Sequence, residues 1–136
     1  MKPSLRVLVR RRARNRCEYC QLPQSALPSA VFQIEHIIAR QHGGPDEALN
    51  LALACDRCNA YKGPNISGID PVSRQMVPLF NPRQQNWSEH FRQIGFEIVG
   101  TTAAGRATAE LLNMNARRRV QLRAELRIRL GSATES

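Results

Sequence analysis

The residue types best suited to chemistry fall in one stretch of a 136-residue chain. Four cysteines stand as two Cys-x-x-Cys pairs, Cys17 with Cys20 and Cys55 with Cys58, with residues 21–54 between them. Each such turn brings two sulfurs to one ion, and four thiolates satisfy a tetrahedral zinc ion. With every position filled by protein, that zinc has no open site and is structural. It closes a long loop that a small domain has little core to hold. Buried free thiols and a redox pair are the competing readings. Between the pairs lie Glu35-His36, Gly43-Gly44 and Asn50-Leu51; Asn59 follows the last cysteine and Lys62 comes three residues later. A histidine titrates near pH 6.5, so His36 suits proton abstraction from water at neutral pH.

The elements that must position these residues are legible in outline. Residues 1–16 carry Arg6, Arg10, Arg11, Arg12, Arg14 and Arg16 around the apolar patch Val7-Leu8-Val9, and read as a helix entering a tight turn at the first cysteine pair. Residues 21–30, with Pro23 and Pro28, read as a loop. Residues 31–38 are β-branched and aromatic and read as the strand that carries Glu35 and His36. Gly43-Gly44-Pro45 marks a turn, and residues 55–62 read as a helix stopped by Gly63-Pro64.

Further on, the Pro- and Asn-rich residues 63–86 wrap the surface, residues 96–99 read as a strand and residues 102–112 as a short helix. Residues 116–130 alternate apolar positions as a strand does, but their length and their Arg, Glu, Gln, Ala and Leu content favour a helix. Asn115 is its expected cap and Gly131 its expected stop. Arg119, Arg123 and Arg127 then share one face, either a ridge for phosphate or a solvated helix face.

Composition narrows the partners. Lys plus Arg number 20 against 11 acids, a net charge of +9, and the only lysines are Lys2 and Lys62. Arginine grips phosphate with a planar fork and stacks on bases, so this balance points to nucleic acid. The longest apolar runs, such as Leu51–Ala54, are far short of the roughly 20 residues that a spanning helix needs. The first residues lack the apolar core of a secretory signal, so the expected setting is cytoplasmic, without membrane contact.

Taken together, Cys17-x-x-Cys20, Ile34-Glu35-His36-Ile37-Ile38, Gly43-Gly44, Asn50-Leu51 and Cys55-x-x-Cys58-Asn59-x-x-Lys62 resemble the HNH endonuclease family in its zinc-ribbon-supported form. The resemblance implies an α+β fold: a ββα-metal core stapled by the four-cysteine zinc site, with a C-terminal extension containing helices. It implies one nuclease domain over residues 1–136, with its core at about 14–64, a basic arm at 1–16 and the extension at 65–136. By the same resemblance His36 is the general base, Asn50 orients it, Glu35 and Asn59 hold a catalytic Mg²⁺ or Mn²⁺, and Lys62 contacts phosphate. Arg11, Arg12, Arg14 and Arg16 of the arm would add sequence-independent attraction to nucleic acid, DNA first.

The implied chemistry is hydrolysis of a phosphodiester, in which the histidine activates water and a hard cation compensates charge. Adjacent strand residues point to opposite faces. Glu35 and His36 therefore serve one site only if the strand bends or bulges, or if metal and water lie on different sides of its end. Two rival readings stand beside the nuclease: a zinc-ribbon module that binds nucleic acid without cutting it, and a protein-interaction module. Glu35-His36 with Asn50 and Asn59 distinguishes them, since a binder has no need of that set. In the extension, Arg83 and Arg106 either line a DNA groove or form structural ion pairs. His42 and His90 read as ordinary surface or packing residues.

Overall fold

The computed structural model describes residues 1–135. Helix α1 (Pro3–Arg12) starts with proline, whose missing N–H is no loss at a helix start, and ends on Arg10, Arg11 and Arg12, which suit the negative end of the helix dipole. Arg14 and Asn15 then adopt left-handed backbone (φ 56° and 53°), which reverses the chain into the first cysteine turn. The expected strand is present as β1 (Gln33–His36). It pairs antiparallel with β2 (Leu51–Ala54), setting Glu35 opposite Ala52 and His36 opposite Leu51. Helix α2 (Asp56–Lys62) follows at once, with Cys55 as N-cap, its sulfur accepting from the Cys58 N–H. Gly63 ends the helix at φ 50°, as its position predicted.

This hairpin and helix stand at the centre of a mixed α/β structure with small antiparallel sheets. The extension adds two further hairpins that sequence reasoning had as loop or single strand. The first is β3 (Ser67–Ile69) with β4 (Met76–Pro78). The second is β5 (Phe91–Ile94) with β6 (Glu97–Gly100), entered through the single-turn helix α3 (Trp87–His90). Helix α4 (Ala103–Leu111), capped by Thr102 accepting from the Gly105 N–H, lies where a short helix was expected.

Helix α5 (Arg117–Glu135) settles the ambiguous segment as helix and corrects both of its expected ends. The helix runs through Gly131 instead of stopping there. Asn115 is not its cap: its amide is spent on β6, accepting from the Ile98 N–H at 2.7 Å and donating to the Ile98 carbonyl at 2.8 Å.

The core explains why the extension exists. One buried cluster runs from Val9 on α1 through Tyr19, Phe32, Leu51 and Leu53 to Phe80, Phe91, Ile98 and Leu122 on α5. Phe80 meets Phe91 edge to face at 5.2 Å, Trp87 stacks on Phe91 at 5.1 Å, and Phe80 meets Tyr19 edge-on at 6.5 Å. The Trp87 indole N–H donates to the Tyr19 carbonyl at 2.7 Å. The aromatic residues of the second half thus cover the first cysteine turn. No helix among the described residues is long and apolar enough to cross a membrane.

Candidate active site and zinc centre

The two cysteine turns meet where β2 runs into α2. All four sulfurs are buried and lie within 4.8 Å of one another. In a tetrahedral site with Zn–S bonds of about 2.3 Å the sulfurs stand roughly 3.8 Å apart, and the Cys20–Cys55 separation is 3.8 Å. The backbone N–H of Cys20 donates to the Cys17 sulfur and that of Cys58 to the Cys55 sulfur, each at 3.4 Å, which favours thiolate. Hydrogen bonds from Cys17 and Cys20 hold the Cys55 thiol well below its usual range, while burial pushes Cys17 up. The cluster therefore fits the structural zinc that its spacing predicted.

A positive charge stands beside these sulfurs. Arg119 of α5 is buried and donates to Asp56 at 2.9 Å. Burial pulls its pKa down, but attraction to Cys55, Asp56 and Cys20 more than reverses this. A tetrathiolate zinc carries net negative charge, and Arg119 is placed to balance it. Arg123, also buried, donates to the carbonyls of Phe96 and Met114 at 2.9 and 2.7 Å. Arg119 and Arg123 thus face inward, and the expected ridge of three arginines is reduced to the exposed Arg127.

At the end of β1, Glu35 and His36 point to opposite sides, as strand geometry demands. His36 keeps 16% of its side-chain exposure and sets Nε2 2.5 Å from Asp46 Oδ1. It opens on a cavity of about 400 Å³ lined also by Arg6, Arg10 and Arg40. Asp46 is gripped in turn by Arg40, whose Nη2 donates to both carboxylate oxygens at 3.0 Å. His36 first, and then Arg40, hold the Asp46 carboxyl below its ordinary range.

Asn50 makes no hydrogen bond to His36. Its buried amide donates to the Ile38 and Pro45 carbonyls, each at 3.0 Å, and accepts from the Ile38 N–H at 2.9 Å. It fastens the ends of the loop between the two strands. Gly44 is required there, because a Cβ would stand 1.7 Å from the Ile38 oxygen.

Glu35 faces inward instead, only 6% exposed. Its Oε1 accepts from the Tyr19 hydroxyl, and Oε2 lies 3.1 Å from the Lys62 ammonium. Burial pushes the Glu35 carboxyl up, and Lys62 and Tyr19 offset only part of that. Lys62, 2% exposed, also donates to the Ile37 carbonyl at 2.9 Å and the His36 carbonyl at 3.4 Å. This corrects two expectations. Lys62 has no exposed ammonium to offer a phosphate. Glu35 does not fit as the ligand of a catalytic metal, since both its oxygens are taken, one by a cation that repels another. Asn59 is half-buried on α2, and its side chain has no hydrogen bond among the described residues. The four cysteines are the only group of three or more His, Cys, Asp or Glu gathered for a metal among the described residues.

The order of these features, from first cysteine turn to the end of α2, matches a known pattern. Residues 17–65 match the model of the HNH endonuclease family. That segment is an HNH domain. The chain is also similar to the Septu protein PtuB of Bacillus thuringiensis, 25% identical over 117 residues. The match covers 84% of this chain and 42% of that relative, so the chain spans about two fifths of the relative's length. No solved structure matches.

Around the HNH domain the remaining candidates separate cleanly. Arg11 and Arg14 are exposed, as a nucleic-acid contact requires. Arg16 is exposed but donates to the Gln21 carbonyl at 3.0 Å. Arg12 turns inward, to the Leu51 carbonyl of β2, and is a structural residue. Arg83 pairs with Glu18, and Arg106 grips the buried Asp70 through two bonds of 2.9 Å, which resolves both as ion pairs. His90 packs on Phe80, with Nδ1 2.7 Å from the Thr102 hydroxyl, whereas His42 stays exposed. Sequence reasoning missed Asp46, Arg40 and Tyr19. The one available signal was the alternation of the strand, which puts Glu35 inside once His36 is outside.

Proposed function

We propose that this chain is an endonuclease that hydrolyses phosphodiester bonds of DNA, with His36 as general base. The observation that carries the reading is the setting of His36. It is the titratable side chain at the end of β1 that faces solvent, it is fixed by a carboxylate, and it opens on a cavity walled by Arg6, Arg10 and Arg40. Guanidinium groups hold phosphate oxygens and offset the charge that builds on them during displacement. A neutral imidazole beside them takes a proton from water, and the resulting hydroxide attacks phosphorus in line with the leaving oxygen.

HNH enzymes draw on a divalent ion for further charge compensation, and Mg²⁺ or Mn²⁺ is the ion proposed here. Glu35 does not fit as its ligand, because Tyr19 and Lys62 occupy its two carboxylate oxygens. The proposal takes residues 1–136 as one nuclease unit, because the buried cluster joins α1, the HNH domain and α5. Plasmid cleavage by the wild type set against His36→Ala tests the reading.

A further inference from the structure

The loop between β1 and β2 delivers a carboxylate to His36 that the HNH pattern does not assign. We propose that Asp46 is the positioning residue of His36: it takes the Nε2 proton in a hydrogen bond and leaves Nδ1 as the basic nitrogen.

An ionised carboxylate can only accept. A contact of 2.5 Å between Asp46 Oδ1 and His36 Nε2 therefore requires the proton on Nε2. In a neutral imidazole the lone pair then belongs to Nδ1. The same bond limits rotation of the ring and stabilises the imidazolium that forms when Nδ1 takes a proton from water.

Asp46 is itself held from two directions. Arg40 donates from Nη2 to Oδ1 and Oδ2 at 3.0 Å each and from Nε to Oδ1 at 3.3 Å, a fork that fixes the carboxylate plane. From the backbone side, Asn50 binds the carbonyl of Pro45, the residue just before Asp46, and both polar groups of Ile38. Gly44 lets the loop pass against Ile38 with no room for a side chain. Asn50 and Gly44 thus set where Asp46 stands, and Asp46 sets where His36 points. The orienting role that the resemblance implies for Asn50 falls to Asp46, four residues earlier in the same loop.

The hydrogen-bonding part of this proposal stands on geometry alone, and its effect on rate rests on the nuclease reading. The test separates them. In ¹⁵N-labelled, zinc-loaded protein near pH 8, His36 is expected to show a slowly exchanging Nε2 proton by NMR. That proton should vanish in Asp46→Ala and persist in Asp46→Asn, whose amide oxygen still accepts. On plasmid DNA, Asp46→Ala should lower kcat about 10- to 100-fold with KM within about twofold, a smaller loss than the roughly 100- to 10,000-fold expected when a general base is removed. Asp46→Asn should recover part of it. Asp46 is 40% exposed in its side chain, so these variants should fold. An Nε2 proton unchanged in Asp46→Ala, or a kcat equal to wild type, overturns the assignment. If no form cuts, the nuclease reading fails while the proton signal still decides the pair.

Discussion

The Lys62 ammonium lies 3.1 Å from Glu35 Oε2, and both side chains are buried. The pair joins the last turn of α2 to the middle of β1, and Tyr19 completes it from the first cysteine turn. Three segments of the HNH domain are thus locked together by polar groups below the surface that carries His36. A buried pair of this kind holds geometry more than it adds stability, since desolvation opposes the attraction.

The lock predicts strong coupling between its members. Lys62→Met alone strands a buried carboxylate, or obliges it to take up a proton, and should cost about 3–5 kcal/mol. Glu35→Gln with Lys62→Met should be less damaging than the single Lys62 change. Urea denaturation of the zinc-loaded variants checks this, and additive losses would mean that the two residues do not act as a pair.

The buried Arg119 predicts a charge effect on zinc retention. Arg119→Met keeps much of the apolar stem but removes the cation beside Cys55 and Cys20. Zinc should leave this variant faster than wild type when challenged with a colorimetric chelator, and Arg119→Lys should fall between. Stripping zinc from any of them should unfold the HNH domain, because the binding energy of a structural zinc is folding energy.

Asp70 gives the extension an acid-sensitive joint. It is fully buried, and Arg106 first, then the Val72 and Ser73 N–H groups, hold its carboxyl well below the ordinary aspartate range. A carboxylate with a depressed folded pKa contributes stability that is present above its unfolded pKa of about 4 and is lost as pH falls through the lower folded value. Thermal melts between neutral pH and pH 3 should therefore fall more steeply for wild type than for Asp70→Asn. Parallel slopes would remove Asp70 from the account.

The basic residues divide into two groups with different signatures. Arg6 is exposed on the wall of the His36 cavity, and replacing it with alanine should reduce the salt slope of DNA binding by about 1, whereas Arg10 on the same wall also donates to the Phe32 carbonyl at 3.0 Å. Arg12 instead holds the Leu51 carbonyl, so Arg12→Ala should lower stability while the salt slope stays near that of wild type. Filter binding across a salt series, with melts alongside, reads both effects.

Much of this was legible in the sequence because it depends on local spacing. The cysteine turns, the strand at Gln33–His36 and the helix ending at Gly63 follow from nearest-neighbour chemistry. What stayed hidden depends on burial. Lys62 reads as a surface cation until α2 packs its ammonium on Glu35. Arg119 and Arg123 read as an outward ridge until Leu122, buried between them, shows which face of α5 is inside. Asp46 follows a Gly-Gly-Pro turn with no periodicity, and only closure of the loop brings it to His36. The short strands β3 and β5, which include Gly68, Arg92 and Gln93, lack the β-branched runs that announce a strand.

The most direct test of the central claim is cleavage of supercoiled plasmid DNA with Mg²⁺ or Mn²⁺, comparing wild type with His36→Ala after both are shown to fold and hold zinc. Wild type should cut, and the variant should be slower by roughly 100- to 10,000-fold, the usual contribution of a general base. Equal cutting by both would contradict the claim, and would place the proton acceptor somewhere other than His36.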